Sequence, residues 1–453
     1  MVFSIDLFKQ RNIALDAVFK MEGSLDMARL DSMRQGWKEN DGVDYAEALR
    51  IIGQRTSIEY YNEIQAAQSR AIDFSRSLFP AYEFLLADVI YDDWMSIVDP
   101  HQKHKRDHSI HQPLTAYVVS ELLGRGVAEQ ALPVNGQSLL TICTNKFLRE
   151  DKTAYLRKYL NDLYPSIDIA KMKTEQSRYM IAETMFYEAA VMAALFHDIG
   201  YPWQYIKNVC SGIGFANDTV NTGVSFSPEG LYDQIKDRLL ICPFYGYSAS
   251  AMNHPTTRVK QEVLRNIEEA FSNTHGFPGA LAFQQLNDVV RMFPMNIKYN
   301  DAIFHFMQDW AAVGILMHDM VRQYYGGREG HVVGKRPANP QFRLSFDTDP
   351  LSCLIAMADI FEEFARPLSK FKSYTKGVVT RFKYPCDRTE VTVTGKTLHV
   401  KYTYADKALV AGNRGSRVKE VDDYFNEECG FVNLASIGIE KAVCEVDVAD
   451  CLK

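Results

Sequence analysis

Three apolar stretches of this chain run into a histidine or an aspartate. "AAVMAALFHDIG" (189–200) reaches His197 and Asp198, "AAVGILMHDM" (311–320) reaches His318 and Asp319, and "LSCLIAMADIF" (351–361) reaches Asp359. Burying such groups costs several kcal/mol unless they are paired, hydrogen-bonded or bound to a metal. Imidazole nitrogens together with carboxylate oxygens make a donor set suited to divalent ions such as Zn, Fe, Mn, Co or Ni. Two ions sharing one carboxylate would clamp a phosphoryl group and activate a water between them. That chemistry draws its ligands from several helices, and a further segment, "RDHSIH" (106–111), adds His108 and His111.

The elements that must position these groups are mostly helical. The spacing of apolar residues predicts helices over 105–125, 175–199, 256–273, 298–325 and 349–366. The helix over 175–199 is the strongest: it is rich in Ala, Met and Leu, and it carries no charge from Ala189 to Phe196. Residues 1–95 also read as helical, a cap on the core or a surface for self-association. Glycines space out a Ser/Asn/Thr-rich stretch over 208–250, read as an insertion that forms a lid directly after the His–Asp doublet. Beyond 371 the character changes. Residues 376–404 alternate β-branched and aromatic residues around a turn at Gly395, residues 416–428 read as a helix, and residues 440–447 as a last strand. "GNRGS" (412–416) reads as an exposed hairpin or loop, and "YYGGREG" (324–330) as the turn after the His318 helix. The expected architecture is mainly all-α, with a helical N-terminal region (1–95), a helical core (96–370) holding the insertion, and a small α+β module (371–453).

Composition narrows the classes. The 453 residues are 47% apolar and 24% charged, which is the balance of an ordinary globular protein. A formal net charge of −7 gives no general attraction to duplex nucleic acid or to anionic membranes. No stretch reaches about 18 continuous apolar residues, and the N-terminus lacks the run of a secretion signal. None of the 8 cysteines forms a C-x-x-C pair, so neither a zinc ribbon nor a redox pair is indicated, and free thiols fit a cytoplasmic protein.

The order His108, then His197–Asp198, then Asp359 resembles the HD-domain metal-dependent phosphohydrolases. "RDHSIH" looks like the first histidine segment of that superfamily, "AALFHDIGYP" is similar to its doublet, and "DPLSCLIAMADIFEEFARP" resembles its last segment. The resemblance covers about residues 100–370. It implies an HD-domain-like helical core in which His108, His197, Asp198 and Asp359 hold a first divalent metal (Mn, Zn, Fe, Co, Ni or Mg). Asp198 would bridge to a second ion, with His318 or His254 as a further ligand. The implied reaction is hydrolysis of a phosphate ester of a small nucleotide-like substrate by metal-activated water, with Asp198 orienting the water and His318 or His111 stabilising the leaving oxygen.

Around that set stand residues of a supporting kind. His111 would touch substrate or orient a ligand. Glu363, read as one helical turn past Asp359, would orient the water. Arg366, read as two turns past it, and Lys207, at the start of the lid, would hold phosphate. Asp319 would play the same part as Glu363 or bond a ligand histidine. Positions 199–206, "IGYPWQYI", hold no acid, unlike the superfamily members that use a glutamate there. Two other readings stand beside the hydrolase: a di-iron oxygenase with an HD-like core, favoured by six or more His/Asp ligands, and a nucleotide- or metal-binding sensor without turnover. The N-terminal helices offer a surface for a homo-oligomer.

Overall fold

The helix that carries no charge from Ala189 to Phe196 lies at the centre. The structure, a computed structural model, describes residues 1–4, 7, 108–124, 131–148, 175–200, 274–291, 301–326, 344–347, 349–364, 386–404, 407–426 and 430–449. The expected insertion over 208–250, the helix over 256–273 and most of the N-terminal region lie outside these residues. The described helices are α1 (His108–Leu122), α2 (Leu139–Leu148), α3 (Glu175–Phe196), α4 (Gly276–Arg291), α5 (Asp301–Gly326) and α6 (Pro350–Phe361). Residues 189–196 of α3 are wholly buried, and α1, α2, α5 and α6 all pack on this helix. Its lack of charge is thus the consequence of neighbours on every side.

Helix α6 is equally deep. Asp349 caps it by accepting from Ser352 N at 3.0 Å, Pro350 occupies its first turn, and all its residues are buried. It ends at Phe361, and Glu362 leaves helical geometry at φ −82°, ψ 71°. This is earlier than the expected end at 366. Helix α5 crosses both α3 and α6 at Gly314, where a Cβ would stand 2.3 Å from Leu351 Cδ2 and 3.0 Å from Ala193 Cβ. Without a Cβ at this position the three helices meet closely, with Leu351 filling the space a side chain would take. Helix α4 pairs along α5; its Gly/Pro-rich opening, "GFPG", concealed it from the helical pattern. No helix of the described residues is long and apolar enough to cross a membrane.

The C-terminal region is a small mixed β unit. Strands β5 (Cys386–Thr394) and β6 (Thr397–Tyr404) form an antiparallel hairpin about Gly395, which takes φ 56°. Helix α7 (Lys407–Val421) and a π-helical turn (Asp422–Asn426) follow, and β8 (Lys441–Val448) then joins β6 in parallel. The "GNRGS" segment therefore lies inside α7, not in a loop; Gly412 and Gly415 stand on its exposed side, where no packing opposes them.

Val2–Phe3, expected to be helical, form a short strand, β1, at the edge of this sheet, in the order β1-β5-β6-β8. The reason is tertiary: Val2 and Phe3 pair with Glu390 and Thr389, and Phe3 turns its ring edge-on to Tyr117 of α1 at 6.2 Å. Other ties join sheet and helices. The turn between β2 (Pro133–Val134) and β3 (Gln137–Ser138) sends Asn135 Nδ2 to Ile437 O at 3.2 Å, and β4 (Leu344–Ser345) pairs in parallel with β7 (Val432–Asn433). Among the described residues one apolar core runs from Phe3 through the helices to Val446.

Phe3 is fully buried in that core. Phe3→Ala is expected to cost about 3–5 kcal/mol, read as a lower thermal midpoint by circular dichroism; an unchanged midpoint would contradict the docking of β1.

Candidate metal centre

The ends of α3 and α6 converge on the start of α1 and the last third of α5. There His111, His197, Asp198, His318 and Asp359 are all buried, and His275, just ahead of α4, keeps its side chain 12% exposed.

One rule orients every ring. His197 Nδ1 donates to Ala194 O at 2.8 Å, and His318 Nδ1 donates to Ile315 O at 2.6 Å. A carbonyl only accepts, so the proton of each neutral ring sits on Nδ1 and its Nε2 carries a lone pair. The other two rings are backed by carboxylates. His111 Nδ1 bonds Glu362, and His275 Nδ1 donates to Asp319 at 2.9 Å. All four Nε2 atoms therefore face inward as donors to a cation.

They face one another at short range. His111 Nε2 lies 3.1 Å from His197 Nε2 and 3.1 Å from Asp359 Oδ1. His275 Nε2 lies 3.0 Å from His318 Nε2 and 3.0 Å from Asp198 Oδ1. The carboxylate of Asp198 spans the two groups: Oδ2 is 3.6 Å from His111 Nε2, while Oδ1 is 3.3 Å from His197 Nε2 and 3.8 Å from His318 Nε2. Donor atoms of His111, His197 and Asp359 all lie within 4.8 Å of one another, as do those of His197, Asp198 and His318. Lone pairs and carboxylates at such distances repel unless positive charge lies between them. The donor set fits a divalent cation of the N/O-binding kind.

In the metal-free chain a proton supplies part of that charge. Burial opposes a charged His275, but Asp319 and Asp198 outweigh it and hold its pKa up to about 9. Asp319 is held well below the ordinary carboxylate range: burial works against its ionisation, and the His275 and His318 rings outweigh that.

The backbone makes room for this. A Cβ at Gly200 would stand 1.8 Å from His275 O and 2.7 Å from Gly279 N, so the turn after the doublet lies directly on the start of α4. Thr274 Oγ1 accepts from Phe277 N at 3.4 Å, and His275 N donates to Asp319 Oδ2 at 3.1 Å, which fixes the histidine from both sides.

The expected ligands His197, Asp198, Asp359 and His318 come together. His111, expected beside the first ligand set, is in the cluster through Nε2. His108 opens α1, and its side chain lies outside the described residues, as do His254, Lys207 and Arg366. Glu363 does not share the face of Asp359. The helix ends at Phe361, so the four-residue repeat behind its expected role lapses. The Glu363 carboxylate accepts from Tyr404 and Arg417 instead, and its neighbour Glu362 meets the metal-site histidine. Asp319 bonds a histidine of the cluster, the second of its two expected roles. His275 was missed; its signal is the "THGFPG" string, a Thr cap and a first-turn proline that place a histidine at a helix start.

Comparisons with protein-family models, with curated proteins and with solved structures returned no match.

Two outcomes are expected. Glu362→Gln keeps a hydrogen-bond acceptor but removes the charge behind His111, and should weaken divalent-metal affinity about 10-fold in a Co2+ titration. The protonated His275 stabilises the metal-free fold fully below its ordinary value of 6.5, and that contribution is lost as pH rises through about 9. Thermal melts of chelator-treated protein should therefore fall across this window, and His275→Gln should flatten the fall.

Proposed function

We propose that the chain is a metal-dependent phosphohydrolase of the HD-domain kind, acting on a phosphate ester of a small nucleotide-like substrate. The observation that carries this reading is the Asp198 carboxylate, one oxygen turned to His111 and the other to His275, between two groups of imidazole donors. In this reading His111, His197, Asp198 and Asp359 hold one divalent cation, and Asp198, His275 and His318 hold a second. Such ions supply Lewis acidity toward a phosphoryl oxygen and a water nucleophile near neutral pH.

The residues of the chain do the rest. Asp198 and Asp359 would offset half of the charge of two divalent ions, and Glu362 and Asp319 behind the rings the other half, so the centre would hold both ions near electroneutrality. Glu362 and Asp319 keep His111 and His275 in the tautomer that presents Nε2. Asp198 orients the water, and the buried helical setting selects a small substrate over a duplex. Lys207 and Arg366 are the proposed phosphate contacts. A cytoplasmic location and self-association through residues 1–95 belong to the same reading.

One observation favours a second reading. Among the described residues six His/Asp side chains gather at the centre, His111, His197, Asp198, His275, His318 and Asp359, which is the count a di-iron oxygenase would use.

Elemental analysis of protein purified without chelator, with a phosphatase and phosphodiesterase screen over nucleotides beside Asp198→Ala, separates the two. Bound divalent metal with phosphate release that is abolished in the variant is the expected result. Two irons without phosphate release would move the assignment to oxygen chemistry, and no metal after reconstitution would overturn both.

A further inference from the structure

The C-terminal sheet and α7 grip the last residues of the ligand helix. Tyr402 Oη, on β6, donates to Ile360 O at 2.9 Å, the carbonyl directly after Asp359. Tyr404 Oη, on the same strand, donates to Glu363 Oε1 at 3.0 Å, and Arg417 Nη1 of α7 donates to Glu363 Oε2 at 3.0 Å. Arg417 also pairs with Glu420 in its own helix. Glu363 and Arg417 keep only 5% and 13% of their side chains exposed, so water screens this pair weakly.

Three contacts therefore fall on residues 360–363, and the two functional side chains at and beside that segment, Asp359 and Glu362, point elsewhere. Asp359 enters the centre, and Glu362 backs His111. Adjacent carboxylates thus divide the work: Glu362 serves the metal side, and Glu363 anchors the segment to another part of the chain. Glu362 is the last residue that the helical ladder reaches, its N–H donating to Ala358 O at 3.0 Å; beyond it Glu363 N donates to Phe361 O at 3.1 Å and the ladder stops, so the contacts from the sheet and α7 take over there.

We propose that Arg417 is a positioning residue of the metal centre: through Glu363 the C-terminal α+β module sets the placement of Glu362 and Asp359. The inference rests on the metal-centre reading above. Burial works against the Arg417 charge, but Glu363 and Glu420 keep it protonated throughout the ordinary pH range. Removing it takes a full positive charge from beside a buried carboxylate, so the segment must shift or Glu363 must take up a proton. A shift displaces two groups of the metal centre, although Arg417 touches neither.

The test is a Co2+ titration of the full-length chain, read by visible d–d absorption, for the parental protein, Arg417→Met, Arg417→Lys and Glu363→Gln. Arg417→Met and Glu363→Gln are expected to bind Co2+ about 10-fold more weakly and with a changed spectrum, and Arg417→Lys to recover most of both. Arg417→Met with parental affinity and spectrum would overturn the proposal. If Arg417→Met does not fold, the Glu363→Gln comparison decides in the same way. A parental chain that takes up no Co2+ would overturn the metal reading itself, and this control separates that failure from failure of the Arg417 inference.

Discussion

Four imidazole lone pairs and two carboxylates share one buried place, and the rest of the structure has to answer that crowding of negative charge. His111 and His197 bring their Nε2 atoms within 3.1 Å of each other, and His275 and His318 within 3.0 Å. Asp198 lies between the pairs and Asp359 at one side. Left alone, such a set repels itself in a medium that screens poorly. A divalent cation removes the repulsion, and in its absence a proton on His275 does so in part. The fold and the proposed chemistry are therefore linked through the same charge.

Holding the rings in this state falls to the atoms behind them. The two His–Asp doublets use the same device, an Nδ1–H donated to the carbonyl three residues back, at Ala194 and at Ile315. Their aspartates then part ways. Asp198 turns into the centre, whereas Asp319 turns to His275 and fixes both its ring and its backbone. Glu362 does for His111 what Asp319 does for His275. Each group of donors thus has one histidine backed by a carbonyl and one backed by a carboxylate. The carboxylate-backed rings are the more basic donors.

The helical packing and the C-terminal sheet serve this arrangement at different ranges. Gly314 lets α5 close on α3 and α6 together, which brings His318 and Asp359 to the doublet at the end of α3. Gly200 lets the turn after the doublet lie against His275. The sheet acts from farther off, through Tyr402, Tyr404 and Arg417 on the residues just past α6. Its edge strand is made by Val2 and Phe3, so residues from the two ends of the described chain meet in one sheet.

The sequence by itself determined the helical nature of the core, the β character of the C-terminal region, and the doublets and Asp359 as metal-site candidates. Each of these is a local signal: an uncharged run that can only be buried, an alternation that suits a pleated strand, an acid or imidazole at the end of an apolar face. What the tertiary structure decided is which of these groups meet. His275 has no apolar run ahead of it, and it joins the centre only because α4 docks on α5. Glu362 and Glu363 are neighbours of the same chemistry, and the end of α6 at Phe361 is what sends one to His111 and the other to Arg417. Val2 and Phe3 become a strand because β5 offers them an edge. Residue type and periodicity carry the first kind of information; long-range contact, which no local pattern encodes, carries the second.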